Sequence, residues 1–384
     1  MRLAWIVANA HPAVASFRYR CLIPAWGMHQ IGHDSAIFVD EQPDPADFDA
    51  MIIVKQAGDR LTDAARSFRA RGKAVFLDLC DNVFIPGYSQ RRDPDLTAEA
   101  AADLARQAHA VVTPSPALGR AVRSYLGEER TSWVVPDGAI TPDTFQAMCA
   151  WLSYSRATVA NGRPFIARNL LDRGMFGIES DPDWQVDHLP EDTARVLWFG
   201  RHGSFHSEFG MGLLRPVIEE LERAHRDRPI ELVVISNSQA RFEALTHGAK
   251  IFTRYEAWSN ERVFFELSRA DLFVMPSATD AFSVCKSANR AVLALANNVP
   301  VVATYLEALE PLRDVIMLDD WRAGIDTYLF DRETAKEHLS RAQPILAEQF
   351  SVEAIGRQWN EALGTCLGMH VEPRIDWRQA AQSA

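Results

Sequence analysis

The segment that follows Pro276 groups residue types that bind anions. Lys286 and Ser287 stand directly before a helical pattern that opens with Asn289 and Arg290. A helix start carries partial positive charge and free backbone N–H groups, so these side chains and amides would converge on one bound anion. A nucleotide-sugar diphosphate is the natural ligand; a helix capped by Ser287, beside a solvated lysine, is the alternative.

Three more polar loops follow strand patterns in the second half of the chain. In the first, glycines would let the backbone approach a ligand, although a plain tight turn has the same composition. In the second, Asn237 suits a hydrogen bond to sugar or phosphate, or the cap of the next helix. In the third, Asp280 and Ser283 lead into the anion-binding segment. The first loop consists of Gly200, Arg201, His202, Gly203 and Ser204.

The first half of the chain offers candidates for the second substrate. His11 follows the first strand pattern and is a candidate general base, because histidine titrates near neutral pH; a structural loop histidine is the alternative. Arg18, in preference to Arg20, would face an anionic acceptor or a donor phosphate. Asp81, in preference to a turn-capping Asp78, would bind an acceptor or act as a base. Two carboxylates alone make a poor metal site, so no metal is predicted.

Short apolar runs alternate with helical patterns and place these candidates at strand ends. The runs are nearly continuous in Val, Ile, Leu and Phe, which is typical of strands buried on both faces of a parallel sheet. Strands are predicted over 3–8, 35–39, 50–55, 74–79, 110–115, 132–137, 195–200, 230–236, 249–255, 270–277 and 299–304. Helices are predicted over 16–30, 61–71, 97–109, 115–126, 209–225, 259–269, 287–297 and 320–368, with Thr97 and Ser115 as N-caps.

The α/β order restarts near residue 194, which predicts two domains in a chain of 384 residues. Turn-forming residues such as Asn161-Gly162 interrupt the order over 140–194. The predicted units are an N-terminal Rossmann-like domain at 1–150, a connection at 151–194, a C-terminal Rossmann-like domain at 195–350, and a helix with a tail at 351–384.

Composition excludes several classes of protein. The chain is 47% hydrophobic and 24% charged, as globular proteins are, and its formal net charge of -11 disfavours general binding of nucleic acid. Five scattered cysteines form no CxxC pair, as expected for reduced thiols. The sequence shows neither a signal peptide nor a run of about 20 apolar residues. A cytoplasmic protein is therefore predicted, with peripheral membrane contact left open.

Several segments together resemble GT-B-fold glycosyltransferases of the group 1, or family 4, type. ADLFVMPS at 270–277 and the run that ends in VPVVAT at 299–304 resemble the donor-site segment. SFRYRCLIPAWGMHQIGH at 16–33 resembles the first helix, HAVVTPSPALGRAV at 109–122 a later acceptor-domain segment, and LWFGRHGS at 197–204 the first donor-domain loop. The resemblance spans almost the whole chain in the expected order.

The resemblance implies two Rossmann-like domains that face a deep cleft, with C-terminal helices that cross back to the first domain. It also implies a nucleobase near Trp258, which would either stack on the base or only cover a helix start. The chain departs from the family pattern at the paired donor-site glutamates of many retaining members, since Cys285 and Leu293 stand at those positions. Asp280 is a candidate substitute for the missing carboxylate.

The expected function is transfer of a sugar from a nucleotide-diphosphate sugar to a glycan, a lipid-linked molecule or a small molecule. The expected catalytic residues are His11, Asp81 and Lys286. Lys286, Arg201 and the helix start would stabilise charge on the leaving diphosphate. The nucleotide sugar is a co-substrate, and neither a cofactor nor a metal is expected. Two alternatives stay open: a binding or scaffold protein on the same fold, and a nucleotide-sugar epimerase.

Overall fold

Two β-sheets, each covered by helices, form the protein. The computed structural model describes residues 1–39, 41–89, 96–129, 131–154, 189–203 and 210–368. The strands are β1 (Arg2–Val7), β2 (Asp34–Val39), β3 (Ala50–Val54), β4 (Ala74–Asp78), β5 (Ala110–Thr113), β6 (Ser132–Val134), β7 (Ala194–Phe199), β8 (Ile230–Ser236), β9 (Phe252–Ala257), β10 (Leu272–Met275), β11 (Val301–Ala303) and β12 (Met317–Leu318). The first sheet has the order β2-β1-β3-β4-β5-β6 and the second β12-β11-β10-β7-β8-β9.

Helices connect the strands. The first, α1, joins Ala15–Phe17, a π-helical segment Arg18–Leu22, and Ile23–Gln30. The others are α2 (Asp59–Ala70), α3 (Ala98–Gln107), α4 (Pro116–Leu126), α5 (Pro142–Tyr154), α6 (Arg215–Ala224), α7 (Gln239–Thr246), α8 (Asn260–Leu267), α9 (Asn289–Ala296), α10 (Trp321–Phe330), α11 (Arg332–Ile345) and α12 (Val352–Leu367). Short 3₁₀ segments cover Gly210–Leu214, Ser283–Cys285 and Glu307–Val315, and a π segment, Leu346–Phe350, joins α11 to α12.

The central strands form because their mostly apolar side chains are covered on both faces. Every residue of β3, β4 and β8 is buried, so these strands exchange water for helix contacts on both sides of the sheet. Neighbouring strands are parallel; Leu3 of β1, for example, lies beside Ala50 of β3. The carboxyl ends of each sheet therefore share one edge. We call the part of the protein built on the first sheet the first domain, and the part built on the second sheet the second domain.

Two helix starts confirm predicted caps. Thr97 accepts a hydrogen bond from the amide of Ala100 at 3.0 Å, and Ser115 accepts one from the amide of Leu118 at 3.2 Å. Each side chain satisfies a first-turn amide that has no partner within its helix. The two helices so fixed, α3 and α4, flank β5 and set the position of the loops at its ends.

The last helix, α12, packs on α1 of the first domain. Gly27 of α1 and Gly356 of α12 meet closely, since a Cβ on Gly27 would lie 2.9 Å from the backbone nitrogen of Gly356. Only glycine permits this approach of two backbones. Trp359 of α12 also packs edge-on against Trp5 of β1, with 5.1 Å between the ring centroids. The C-terminal helices thus cross back to the first domain, as the resemblance implies.

Three elements of the structure are not predicted by the sequence pattern. The strand β12 has two residues, too few for a recognisable pattern. The helix α7 follows β8 after a short turn whose polar sequence is equally compatible with a binding loop. The helix α5 lies in the interval predicted to be irregular, although its buried residues Phe145, Met148 and Leu152 have helical spacing. The turn-forming residues downstream obscure that periodicity.

The predicted domain limits stay predictions. The first sheet ends at Val134 and the second begins at Ala194, while the predicted limit at 150 falls inside α5. The connection over 155–188 and the tail over 369–384 lie outside the described residues. Within the described ranges, no helix has both the length and the apolar character that crossing a membrane requires.

Candidate functional site

A cavity of about 990 Å³ opens between the carboxyl ends of the two sheets. Its size lies at the upper end of the roughly 300–1,000 Å³ typical of ligand pockets. We call its lining residues from the first domain the first-domain wall and those from the second domain the second-domain wall. The lining members of the predicted site are Arg18, Asp81, Gly200, Arg201, Gly203, Asn237, Trp258, Ser283, Lys286, Ser287, Asn289 and Arg290.

Arg290, in the first turn of α9, lies on the second-domain wall. Its Nη1 donates to the carbonyl oxygen of Phe199, 3.3 Å away, and no carboxylate of the described residues forms an ion pair with it. Gly200 makes room for the guanidinium, because a Cβ there would lie 3.2 Å from Nη1. Arg290 is half-buried, and burial lowers its pKa to about 10, so the group stays cationic at neutral pH in a partly desolvated position.

The start of α9 has no side-chain cap. Its N-cap residue is Ala288, which has no side-chain acceptor, so first-turn amides stay available to a ligand. The alternative in which Ser287 caps this helix is wrong, and binding of a ligand by Ser287 stays a prediction. The Ser287 hydroxyl donates instead to Oδ2 of Asp137 in the first domain, 2.6 Å away. The helix starts one residue later than the cap prediction requires, and the bond to Asp137 holds the Ser287 side chain toward the first domain.

Asp81, in the loop after β4, joins the two walls. Lys55 donates to its Oδ2 at 2.5 Å, Lys286 of the second domain donates to its Oδ1, and the Tyr88 hydroxyl donates to Oδ2 at 3.2 Å. Burial alone would raise the pKa of Asp81, but Lys286 and Lys55 hold that pKa well below its usual range. A carboxylate so stabilised is a weak proton acceptor. The geometry therefore favours binding or positioning over base catalysis for Asp81.

Lys55 lines the cavity but is not among the residues that the sequence singles out. It follows β3 with a φ of 50°, a left-handed conformation that few residues other than glycine adopt. Its amide donates to the carbonyl oxygen of Asp78 at 2.8 Å, which holds the turn. Strained backbone is concentrated at functional sites. The one available signal is a lysine that ends the apolar run AMIIVK.

A buried ion network supports the first-domain wall. Arg20 is 1% exposed and binds both oxygens of Asp78, with Nε–Oδ1 at 3.0 Å and Nη2–Oδ2 at 2.7 Å. Its Nη1 also donates to Oδ1 of Asp137 at 3.0 Å. These bonds occupy Arg20, and ligand binding by Arg18 stays a prediction. Asp137 is a buried acceptor shared by Arg20 and Ser287.

Further hydrogen bonds hold the two walls together. The Ser115 hydroxyl donates to the carbonyl oxygen of Cys285 at 2.8 Å, and the Asn82 amide donates to that of Ala281 at 3.1 Å. With the ion pair of Lys286, these bonds fix the loop before α9 against the first domain. The segment predicted to bind the donor is therefore also a contact between the domains.

Three predicted site residues lie outside the cavity lining. His11 is exposed, and its Nδ1 accepts from a backbone amide two residues on at 3.1 Å, which closes the turn before α1. His202 Nδ1 is hydrogen-bonded to Asn237 at 2.8 Å. Asp280 accepts from the Ser283 hydroxyl at 2.6 Å and holds the following 3₁₀ turn. These contacts favour structural roles, and the predicted roles in catalysis and substrate binding stay predictions.

Arg18 and Trp258 both line the cavity. Arg18 is 7% exposed, and its Nη1 donates to the carbonyl oxygen of Pro12 at 2.5 Å. Trp258 is half-buried, and its amide donates to the carbonyl oxygen of Ser236 at 2.9 Å, which fixes it at the end of β9. Stacking on a base and covering a helix start both remain open for Trp258. Ser204 lies outside the described residues.

The positions aligned with the family glutamates differ in location. Leu293 lines the cavity from α9, whereas Cys285 is buried in apolar packing with the first domain. Their correspondence to the paired glutamates stays a prediction, as does substitution by Asp280. In the described ranges no three His, Cys, Asp or Glu side chains are grouped so as to hold a metal ion. The expectation of a metal-independent site stays a prediction too.

Solved structures share this architecture. Anabaena HepE in complex with UDP has a TM-score of 0.60 at 16% identity, over 95% of this chain and 100% of that chain. A glycosyltransferase from Rickettsia africae has a TM-score of 0.59 at 12% identity, over 95% and 98%. An Escherichia coli structure described as trehalose-6-phosphate bound with UDP-2-fluoro glucose has a TM-score of 0.57 at 10% identity, over 97% and 100%.

These likenesses, together with the two parallel sheets, confirm the predicted GT-B-like α/β fold with two Rossmann-like domains. At identities this low, the comparison establishes the fold alone. No family model and no curated protein matches the sequence. Function must therefore be argued from the cavity.

Proposed function

We propose that the protein is a glycosyltransferase that moves a sugar from a nucleoside-diphosphate sugar to an acceptor on the first-domain wall. The observation that carries the proposal is the Arg290 guanidinium, without a carboxylate partner among the described residues, beside the uncapped start of α9. A diphosphate accepts hydrogen bonds from a guanidinium and from helix amides at once. HepE is solved with UDP and the E. coli structure with UDP-2-fluoro glucose, so uridine nucleotides are the first donors to test.

Charge on the second-domain wall would assist the reaction. Negative charge grows on the leaving phosphate as its bond to the sugar breaks, and fixed donors in a desolvated site stabilise it. Arg290, Arg201 and the first amides of α9 supply such donors. Lys286 is bound to Asp81 in this structure, so it would reach the phosphate by exchanging one anion for the other.

Nucleotide binding followed by product analysis tests this function. Thermal shifts with UDP, GDP, ADP, dTDP and CMP, each with and without Mg²⁺, identify the nucleotide. A ligand at 100 times its Kd stabilises the protein by about 2.7 kcal/mol. The matching nucleotide sugars are then incubated with neutral and acidic acceptors, and we expect a new glycoside. Arg290→Met should weaken nucleotide binding at least tenfold, while the exposed control Arg66→Met should keep the wild-type affinity.

The same experiment separates the two alternatives. Nucleotide binding without turnover over the acceptor panel would favour a binding or scaffold protein. Conversion of the sugar without an acceptor would identify an epimerase. If none of the five nucleotides binds, the proposal is wrong.

A further inference from the structure

The net positive charge of the described cavity lining is larger than the negative charge that a bound nucleotide sugar would bring. Six cations and two carboxylates line it, in a protein with a formal net charge of -11. Asp78, buried behind Arg20, adds a third carboxylate. A nucleoside-diphosphate sugar brings about two negative charges, one per phosphate. At least one positive charge then lacks a counter-charge in a partly desolvated cleft, which favours a second bound anion.

The cations and carboxylates of the first-domain wall balance, and the surplus arises because Lys286 of the second domain shares Asp81 with that wall. Arg201 and Arg290 belong to the second-domain wall, where the proposed diphosphate binds. On the first-domain wall, Arg18 is 7% exposed and forms no ion pair with any carboxylate of the described ranges. Lys55 shares its carboxylate, Asp81, with Lys286. The two lysines thus have one carboxylate between them, and Arg18 has none among the described residues.

The backbone at both first-domain cations is unusual. Arg18 opens the π-helical segment Arg18–Leu22, a geometry often found at functional sites. Lys55 is held at a φ of 50° at the end of β3, and its ammonium points to Asp81 at the cavity. A left-handed lysine costs backbone energy, which the surrounding structure must offset. Both features direct a cation from a strand end or helix start into the same cavity.

We propose that the acceptor carries an acidic group, a phosphate or a carboxylate, that Arg18 and Lys55 bind on the first-domain wall. The inference rests on the proposed function for the identity of the other substrate. A guanidinium binds both kinds of oxyanion through paired N–H groups, and an ammonium adds a point charge. The acidic group and the donor diphosphate then occupy opposite walls, so both substrates bind together.

The test uses the whole protein saturated with the nucleoside diphosphate that it binds. Two matched pairs of probes are titrated by calorimetry: glycerol 3-phosphate against glycerol, and glucuronate against glucose. We expect one or both acids to bind at least tenfold more tightly than the neutral partner. Arg18→Met and Lys55→Met should each weaken the acid at least fivefold, while the nucleotide Kd stays within twofold.

Conservative and distant variants control for folding. Arg18→Lys and Lys55→Arg keep the charge and should retain most of the acid binding. Arg66→Met and Lys336→Met remove exposed cations of surface helices and should change nothing. If only one of the two acidic probes binds, its acidic group shows whether the site prefers a phosphate or a carboxylate.

Three results would overturn the inference. The first is that neutral probes bind as tightly as the acids. The second is that no probe binds to the nucleotide complex. The third is that the acids displace the nucleotide. The last result would assign these cations to the donor phosphates. If the wild type binds no nucleotide, the proposed function fails, and the acids are titrated into the free protein. Acid binding that depends on Arg18 and Lys55 would then still support the anion site, and its absence would reject it.

Discussion

The two walls of the cavity use charged residues in opposite ways. On the first-domain wall, Arg20 is bound by buried carboxylates and both oxygens of Asp81 are occupied by lysines. On the second-domain wall, Arg290 meets a carbonyl oxygen but no carboxylate of the described residues. Paired buried charges hold one geometry, whereas a desolvated cation gains most when a ligand anion arrives. Arg18 differs from the other cations of the first-domain wall, because no carboxylate of the described residues pairs with it. This difference is the reason for proposing an acidic acceptor.

Removal of Arg20 should have the largest effect. Arg20→Met leaves Asp78 and Asp137 buried without their cation, and breaking a buried pair in this way costs about 3–5 kcal/mol. Urea unfolding should show that loss, and Arg66→Met, an exposed control, should stay within about 0.5 kcal/mol of the wild type. Equal stability of Arg20→Met and wild type would contradict the contrast between the walls.

Removal of Arg290 should change affinity rather than stability. A hydrogen bond to a charged group contributes about 1.5–3 kcal/mol, so Arg290→Met should raise the nucleotide Kd by roughly 10- to 100-fold. Its unfolding free energy should stay equal or rise, because no described carboxylate loses its partner and a desolvated charge is removed. Calorimetry and urea unfolding of the same sample measure both. A fall in stability like that of Arg20→Met would show that Arg290 stabilises the fold of the second-domain wall.

Asp81 should link stability to acid pH. Its pKa is lowered in the folded protein, so its contribution is present above the unfolded value of about 3.9 and is lost as pH falls below it. Asp81→Asn should cost about 1–3 kcal/mol at pH 7, because two lysines lose a buried counter-charge and one of its two acceptor oxygens. The difference from wild type in urea unfolding should shrink at pH 3. Asp63→Asn, at an exposed ion pair, serves as the control, with a difference near zero at both pH values.

The smallest effect concerns alkaline pH. Burial lowers the pKa of Arg290 to about 10, and a phosphate binds only the cationic form. Nucleotide affinity should therefore be level from pH 7 to 9 and reduced by a factor of about two at pH 10. Calorimetry over this range measures it. The Arg290→Lys variant, whose cation has a different pKa, should show a shifted midpoint; an unshifted one would assign the titration to another group.

The sequence predicts those strands, helices and site features that depend on residues close together in the chain. The pattern AMIIVK predicts β3 to within one residue because its first five positions are all apolar. The start of α9 was recognised because Lys286 and Arg290 are close in sequence. The Arg20 network could not be predicted, since its partners lie 58 and 117 residues away. The cap at Ser287 is wrong for a similar reason, because local capping preference carries no information about a carboxylate in the other domain.

The crossing of α12 over α1 bears on how the chain folds as it is synthesised. Trp5 of β1 has its partner in Trp359, so the apolar layer of the first domain stays incomplete until residues 352–367 have left the ribosome. Both sheets draw their strands from continuous stretches, Arg2–Val134 and Ala194–Leu318, so it is this late helix that delays the first domain. Domains usually fold in their order of synthesis. Here the domain made first would be the last to close, and chaperones would meet its open hydrophobic layer throughout translation of the second domain.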